Sequence, residues 1–384
     1  MRRRRGGARL GPVAAMEETM RAAVLTGINQ PLEILDLEQE GPKAGEARVT
    51  VKAAGVCMSD WHIINGDWPL PLPMVLGHEA AGIVAETGPG VTNVRRGDHV
   101  IFSFRPHCGQ CRYCASGRTV LCIGHDDTPR WLMNDGSARL RLNGEPVNQM
   151  ARIGTFAEEV VCPAEQLVKV RDDLPFAHAA IIGCSVATGI GAVIRHARVM
   201  AGTSVFVVGC GGVGLNVVQG ARLAGAAPIM ACDLLDSKLD LARKFGATHT
   251  INAQSEDVVK RVRALTHGLG ADTAFDAIGG EATAVQALEA AAPGGRAVLV
   301  GIPSFATRVP VNPSRMVYGE KTLSGTYYGS VVPDIDFPIL ADLDMDKRID
   351  LDNLISRTYR FDEINEGFRL MLAGEVARGV ILFE

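Results

Sequence analysis

No apolar run in this 384-residue chain comes near the roughly 18 consecutive residues that would suggest a membrane span. Surplus charge is also missing, because 39 Lys and Arg stand against 43 Asp and Glu, a formal net charge of −4. That balance gives no electrostatic reason to expect nucleic acid or an anionic membrane surface as partner. Cysteine, at nine residues, is too sparse for a disulfide scaffold in a chain this long. No secretory apolar region follows the basic start, so the reading is a cytoplasmic protein. What is present is 47% hydrophobic and 21% charged, which excludes wholesale disorder. The length suits two domains, each able to bury a core. The 43 glycines, with many Val, Ala and Ile, predict an α/β fold with tight strand-to-helix turns.

Residues 1–19 carry a basic cluster, Met1-Arg-Arg-Arg-Arg, and read as a disordered N-terminal extension or an over-extended start. Met20-Arg-Ala-Ala-Val-Leu reads as the first strand. Up to about residue 180 the chain offers short β-like runs such as Ala47–Ala53, Ala80–Ala85 and Gly97–Phe102, with Gly and Pro between them. Residues 123–153 form a polar stretch that predicts a surface lobe or loop. Near residue 185 the pattern changes to alternating strands and helices. Strands are predicted around Ser204–Gly209, Pro228–Asp233, Thr250–Ile251, Thr273–Ile278 and Ala297–Gly301. Helices are predicted over Leu215–Ala224, Ser237–Phe245, Glu256–Thr266 and Ala282–Ala291. Such alternation implies a parallel sheet covered on both faces. From about residue 329 mixed loops and a terminal strand, Val380–Phe383, are expected.

Gly209-Cys-Gly-Gly-Val-Gly214 supplies a G-x-G-x-x-G turn between a strand and a helix. Gly209, Gly211, Gly212, Val213 and Gly214 would bring backbone close to a pyrophosphate seated on the helix N-terminus. Asp233 ends the next strand, where its carboxylate can accept bonds from a ribose diol and would repel a 2′-phosphate. NAD is therefore favoured over NADP.

Cys108, Cys111, Cys114 and Cys122 fall on one short stretch of chain, which in a reducing cytosol reads as a closed, tetrahedral structural zinc site. Metal there would stabilise a lobe without its own core. A second set is dispersed: Cys57 in Gly-Val-Cys-Met-Ser-Asp, His78 in Gly77-His78-Glu79, and Cys184 in Gly183-Cys-Ser-Val-Ala-Thr188-Gly. Two thiolates and an imidazole would leave zinc the open position a catalytic site requires. Taken singly, each reads as an ordinary structural residue, and spacing alone does not unite them.

In combination, the four-Cys spacing, Gly-His-Glu and Gly-Cys-x3-Thr-Gly resemble the zinc-dependent medium-chain alcohol dehydrogenases, from about Met20 to the C-terminus. That resemblance implies an α/β plus β architecture: a GroES-like catalytic domain (20–184 and 329–384) around a Rossmann, doubly wound parallel-sheet domain (185–328). Cys57, His78 and Cys184 would hold the catalytic zinc, giving two zinc atoms per chain. Glu79 would stand behind as an occasional fourth ligand, and Asp60 would orient His78. An alcohol oxygen would take the open position and hydride would pass to the nicotinamide. Ser59 would be the hydroxyl beside the metal and His62 the terminal proton acceptor. Lys238 would contact the adenosine ribose, Arg378 the pyrophosphate, and Thr188 and Val300 the nicotinamide. Trp68 and Phe104 align with substrate-pocket positions. Where relatives often carry a basic pyrophosphate contact, this chain has Met58, a lost charged hydrogen bond of typically about 1.5–3 kcal/mol that would speed cofactor release.

Relatives acting on glutathione-linked formaldehyde usually have an acidic residue near position 68 and an arginine soon after the last structural Cys, where this chain has Trp68 and Asp126. The reading is therefore oxidation of a primary, apolar or aromatic alcohol to the aldehyde. A mycothiol-type thiol-conjugate formaldehyde dehydrogenase is the alternative, favoured by the tail Tyr328–Pro338. A non-catalytic nucleotide-binding protein and a zinc-free quinone reductase fit the cysteine set less well. A homodimer is expected, with a tetramer second.

Overall fold

The computed structural model describes residues 18–384; the expected extension up to residue 17 lies outside the described residues. Glu18 and Thr19, assigned above to that extension, already belong to the first strand, Glu18–Leu25.

Three sheets organise the described residues. A small closed barrel joins Glu18–Leu25, Glu33–Gln39, Leu140–Leu142, Glu145–Gln149 and Met74–Val75. Beside it lies a seven-stranded sheet that runs through Ala80–Thr87 and Glu46–Val56 to Arg378–Leu382 and Ile355–Arg360. Within residues 123–153, expected to be a surface lobe, lie two of the barrel strands. Buried Arg152 holds the remainder down by donating to the carbonyls of Leu132, His125 and Thr128. The stretch is exposed at 123–124, 126–127, 129–130, 134–136 and 143–146, and its buried polar side chains, such as Arg152, are satisfied by internal hydrogen bonds.

The third sheet is wholly parallel, in the order His249–Asn252, Ile229–Asp233, Val205–Val208, Ala271–Asp276, Ala291–Leu299, Thr322–Gly325. That is the 3-2-1-4-5-6 order of a doubly wound dinucleotide-binding fold. Val205–Val208 is buried throughout, as a central parallel strand must be. The C-terminal tail differs from its expectation, since residues 333–372 include the helices Pro333–Met345 and Ile364–Leu372. Pro333 at the start of the first, with Asp334 and Asp336 in its first turn, is the signal that marks it.

Phe176–Ala197 is long and apolar enough by length and composition to cross a membrane, although His, Gly, Ser and Thr interrupt its apolar runs. In the fold 89% of its most apolar 18-residue window is buried. It is a core helix between the GroES-like sheet and the parallel sheet, packing Ile181, Val186 and Val193 with Val207, Leu215 and Val298. Two stretches of it, Ile182–Val186 and Ala192–Ala197, have the wide turns of a π-helix. Such turns are rare and frequent at functional sites.

Candidate active site and metal centres

Cys57 caps the short helix Met58–Ile64 at the end of a long strand. His78 and Glu79 follow the short strand Met74–Val75, and Cys184 sits in the first wide turn of the core helix. Although these residues come from three distant segments of the chain, the donor atoms of Cys57, His78, Glu79 and Cys184 all lie within 4.8 Å of one another, and all four residues are buried. Cys184 Sγ is 3.5 Å from His78 Nε2. Asp60 holds the other side of that ring, with Oδ1 3.1 Å from Nδ1, and also accepts from the Gly77 N–H. The histidine is thus oriented as a metal ligand usually is, with its second nitrogen on a carboxylate.

The electrostatics suit a cation. The Cys184 hydrogen bond, with His78 and Arg378 nearby, holds the Cys57 thiol well below its ordinary range. The Cys184 thiol is pushed well up by that same bond and by burial. Burial would lower His78, but Asp60 and Cys57 outweigh it and keep it raised. Burial lifts Glu79 to about 7 against the pull of Arg378. Two adjacent buried thiols that cannot both ionise by themselves are what a divalent ion would resolve, because metal ligation deprotonates them together. This donor set fits zinc with one position open.

Glu79 is itself held. Its Oε2 accepts from Arg378 Nη2, and its Oε1 accepts from the Ser185 hydroxyl at 3.3 Å. Ser185, next to Cys184, was not singled out from the sequence, and its neighbour's motif was the only pointer to it. Arg378, expected to face a pyrophosphate, is buried and turned toward the metal cluster. Its aliphatic stem crosses Gly212 so closely that a Cβ there would collide with Arg378 Cδ. Its Nε is buried without a hydrogen-bond partner. One side chain therefore spans from the metal donors to the glycine turn.

That turn fits a dinucleotide. Gly209 has φ of 93°, Gly211 caps the helix Gly212–Leu223, and Gly211 has open space where a Cβ would be. At Gly214 a Cβ would overlap the Gly209 carbonyl oxygen, so the close packing of turn and helix requires glycine. Val213 is half-buried on the same turn. Asp233, at the end of its strand, accepts from the N–H groups of Cys210 and Leu234, each at 2.8 Å. Lys238 is half-buried on the following helix. Thr188 lies one helical turn beyond Cys184, and Val300 is buried at the end of Ala291–Leu299.

Around the mouth, Phe104 meets the His78 ring edge-on at 5.4 Å and stacks on Tyr328 at 3.8 Å. Tyr327 reaches Phe104 at 6.1 Å. Neither tyrosine was singled out as a pocket residue, since the tail gave no periodic pattern to place them. Trp68 stacks on His62 at 4.9 Å. Ser59 and His62, both half-buried, lie three residues apart and so share a face of their helix. Met58 is exposed.

The second cluster is local. Sulfur atoms of Cys108, Cys111, Cys114 and Cys122 lie within 4.8 Å of one another, with Cys111 3.5 Å from Cys114 and 3.9 Å from Cys122. Tetrahedral zinc with bonds of about 2.3 Å requires sulfur separations of about 3.8 Å. The N–H groups of Cys108 and Gly124 point at Cys122 Sγ, and that of Cys111 at Cys108 Sγ, each at 3.3 Å. Donors aimed at sulfur favour thiolates, and backbone bonds lower Cys111 to about 6. Burial outweighs them at Cys122 and lifts Cys114 to about 12, so the four ionise together only with a cation among them. The set fits a closed structural zinc.

A GroES-like barrel and a doubly wound sheet, meeting at a buried Cys-His-Cys set beside a glycine turn, define a zinc-dependent dehydrogenase. Residues 43–172 match the alcohol dehydrogenase GroES-like domain, and residues 212–343 match the zinc-binding dehydrogenase family. The chain is 42% identical over 373 residues to the S-(hydroxymethyl)glutathione dehydrogenase of Paracoccus denitrificans, covering 94% of this chain and 99% of that one. It superposes on benzyl alcohol dehydrogenase from Acinetobacter calcoaceticus with a TM-score of 0.90 at 31% identity, covering 96% and 100% of the two chains. A zinc-binding dehydrogenase of Sinorhizobium meliloti, solved with NADP, gives 0.78 at 27% identity, covering 96% and 100%. The chain belongs to the zinc-dependent medium-chain dehydrogenase/reductase family and is an alcohol dehydrogenase-type oxidoreductase that uses zinc and a nicotinamide cofactor.

Proposed function

We propose that this enzyme oxidises a primary alcohol with an apolar or aromatic substituent to the aldehyde, using NAD and two zinc atoms per chain. The observation that carries the reading is an aromatic wall in which Phe104 meets His78 edge-on, with Tyr327 and the buried Tyr328 packed against Phe104. Such a wall buries apolar surface and offers a flat ring a stacking partner. When bound, the catalytic zinc supplies a cation that stabilises an alkoxide oxygen, and the nicotinamide supplies the hydride acceptor.

The chain's own residues do the rest. Cys57, His78 and Cys184 fix the donor geometry, and Asp60 holds the histidine ring. The Ser59 hydroxyl takes the alcohol proton and His62 accepts it further out. Arg378 keeps the Glu79 carboxylate back in a buried ion pair, with side chains 7% and 0% exposed. Asp233 favours an unphosphorylated adenosine ribose, which supports NAD over NADP. The nine cysteines, all free, support a reducing, cytoplasmic setting.

A homodimer is part of this reading. Thr322–Gly325 ends the parallel sheet and pairs on one side only, with Ala291–Leu299. The adjacent helix Pro313–Gly319 buries none of its residues and leaves Tyr318 90% exposed. A second copy adding its own edge strand would cover both, with a tetramer as the larger alternative.

The second reading, a thiol-conjugate formaldehyde dehydrogenase, is favoured by the 42% identical relative, the S-(hydroxymethyl)glutathione dehydrogenase of Paracoccus denitrificans. Against glutathione as the thiol, Asp126 stands where such relatives usually carry an arginine, and its carboxylate lies 3.8 and 3.7 Å from Arg105 and Arg130. Purified enzyme given benzyl alcohol, and separately formaldehyde with glutathione or mycothiol, with NAD and NADP in parallel, decides. Faster cofactor reduction with benzyl alcohol and NAD is expected. A clear preference for formaldehyde with either thiol overturns the substrate assignment.

A further inference from the structure

Resting on the assignment of His62 as outer proton acceptor, we propose that Asp67 is a positioning residue that keeps a proton on His62 Nδ1 and leaves Nε2 to accept. His62 is near the end of the helix Met58–Ile64, and the chain turns back through Asn65-Gly66-Asp67. Asp67 Oδ2 is 2.8 Å from His62 Nδ1. The same oxygen accepts from Asn65 Nδ2 at 2.8 Å, while the Asp67 N–H donates to Asn65 Oδ1 at 3.0 Å. The carboxylate is therefore clamped in both directions by the turn and does not swing freely. Trp68 completes the seat: its N–H donates to the His62 carbonyl at 2.9 Å, and its ring stacks on the imidazole at 28°.

An ionised carboxylate has only acceptors, so the bond to Nδ1 exists only while that nitrogen carries hydrogen. The His62 and Asn65 hydrogen bonds hold the Asp67 carboxyl below its usual range, which keeps it ionised. A neutral imidazole with its hydrogen on Nδ1 has its lone pair on Nε2. When Nε2 takes a proton, the resulting cation lies against the carboxylate, as the orienting acid does for the histidine of a hydrolase triad. No other bond forms or breaks: one proton arrives at Nε2 and the Nδ1 hydrogen stays. The Trp68 stack limits rotation of the ring away from this bond.

The test is nitrogen NMR on full-length holoenzyme labelled at histidine, with the His62 signals assigned by their loss in His62→Gln. In the native protein above its titration, Nδ1 should show the protonated and Nε2 the unprotonated shift. Asp67→Ala should transfer the hydrogen to Nε2, and Asp67→Glu should return it to Nδ1. With benzyl alcohol at pH 7, Asp67→Ala should slow the first-turnover burst of cofactor reduction about tenfold with KM unchanged, a typical effect of losing an orienting carboxylate. A native ring protonated on Nε2, or a tautomer unmoved in Asp67→Ala, overturns the proposal. If the tautomer follows Asp67 while His62→Gln keeps native burst rates, the positioning stands and the proton-relay role of His62 falls.

Discussion

The two candidate metal-binding clusters in this chain use similar donors and are built in opposite ways. The four-cysteine set closes on a single short loop and draws on that loop's own backbone N–H groups to favour thiolates. The Cys57, His78 and Cys184 set is gathered from a helix cap, a loop and a wide turn of a core helix, and is surrounded by buried Asp60, Glu79 and Arg378. A local cluster needs little from the fold and organises only its own lobe. A dispersed one exists only after three distant segments of the chain have packed together, and its ionisation is set by groups far away in sequence. The first arrangement suits a structural clasp. The second suits chemistry, because distant elements can hold donors rigidly and still leave one position free.

That contrast can be broken by single substitutions, and the greatest effect belongs to the dispersed set. His78→Ala should lower zinc from about two to one per chain and reduce turnover about a thousandfold or more, the loss expected when several kcal/mol of cationic stabilisation disappears. Metal analysis alongside alcohol oxidation reads it. Full turnover in this variant, or in Cys57→Ser, would place the reactive metal elsewhere.

Cys111→Ser should also lose one zinc, but with turnover kept within about tenfold, because the lobe rather than the site is released. Limited proteolysis should then cut between residues 105 and 124, a region that His78→Ala leaves protected. Identical cleavage patterns in the two variants would dissolve the distinction between clasp and site. Asp60→Asn gives the smallest change: zinc lost to a competing chelator about 10- to 100-fold more readily, with both metals present at rest. An unchanged chelator titration would mean that the carboxylate at 3.1 Å does not tune His78.

The difference between the clusters also sets how much could be read beforehand. The local cluster is written in its spacing, as is the glycine turn, because strand, glycines, helix and Asp233 follow one another directly along the chain. The alternation of strands and helices across residues 204–301 was legible for the same reason: each element buries a face of its own period. Less could be read where the partner is remote. The strands Leu140–Leu142 and Glu145–Gln149 are short and polar, and make sense only as the closure of a barrel begun far earlier in the chain, at Glu18–Leu25 and Glu33–Gln39. The apolar content of Phe176–Ala197 says burial without saying in what. For Arg378 the family resemblance implied a pyrophosphate contact; its ion pair with Glu79, remote from it in sequence, and its stem against Gly212 emerge only in the packed chain.

By itself the sequence determined the local arrangement: a four-sulfur loop, a glycine-rich strand-to-helix turn, an acid ending the next strand and the element periods that make a parallel sheet. Family resemblance, not spacing, joined the three remote zinc donors. Only the tertiary structure put their atoms within reach of Glu79, set Arg378 between that donor cluster and the glycine turn, and packed Phe104 edge-on to His78. The physical reason is range. Hydrogen bonding in turns and helical or strand periodicity act over a few residues, while burial and electrostatic coupling depend on distances that exist only in the folded chain.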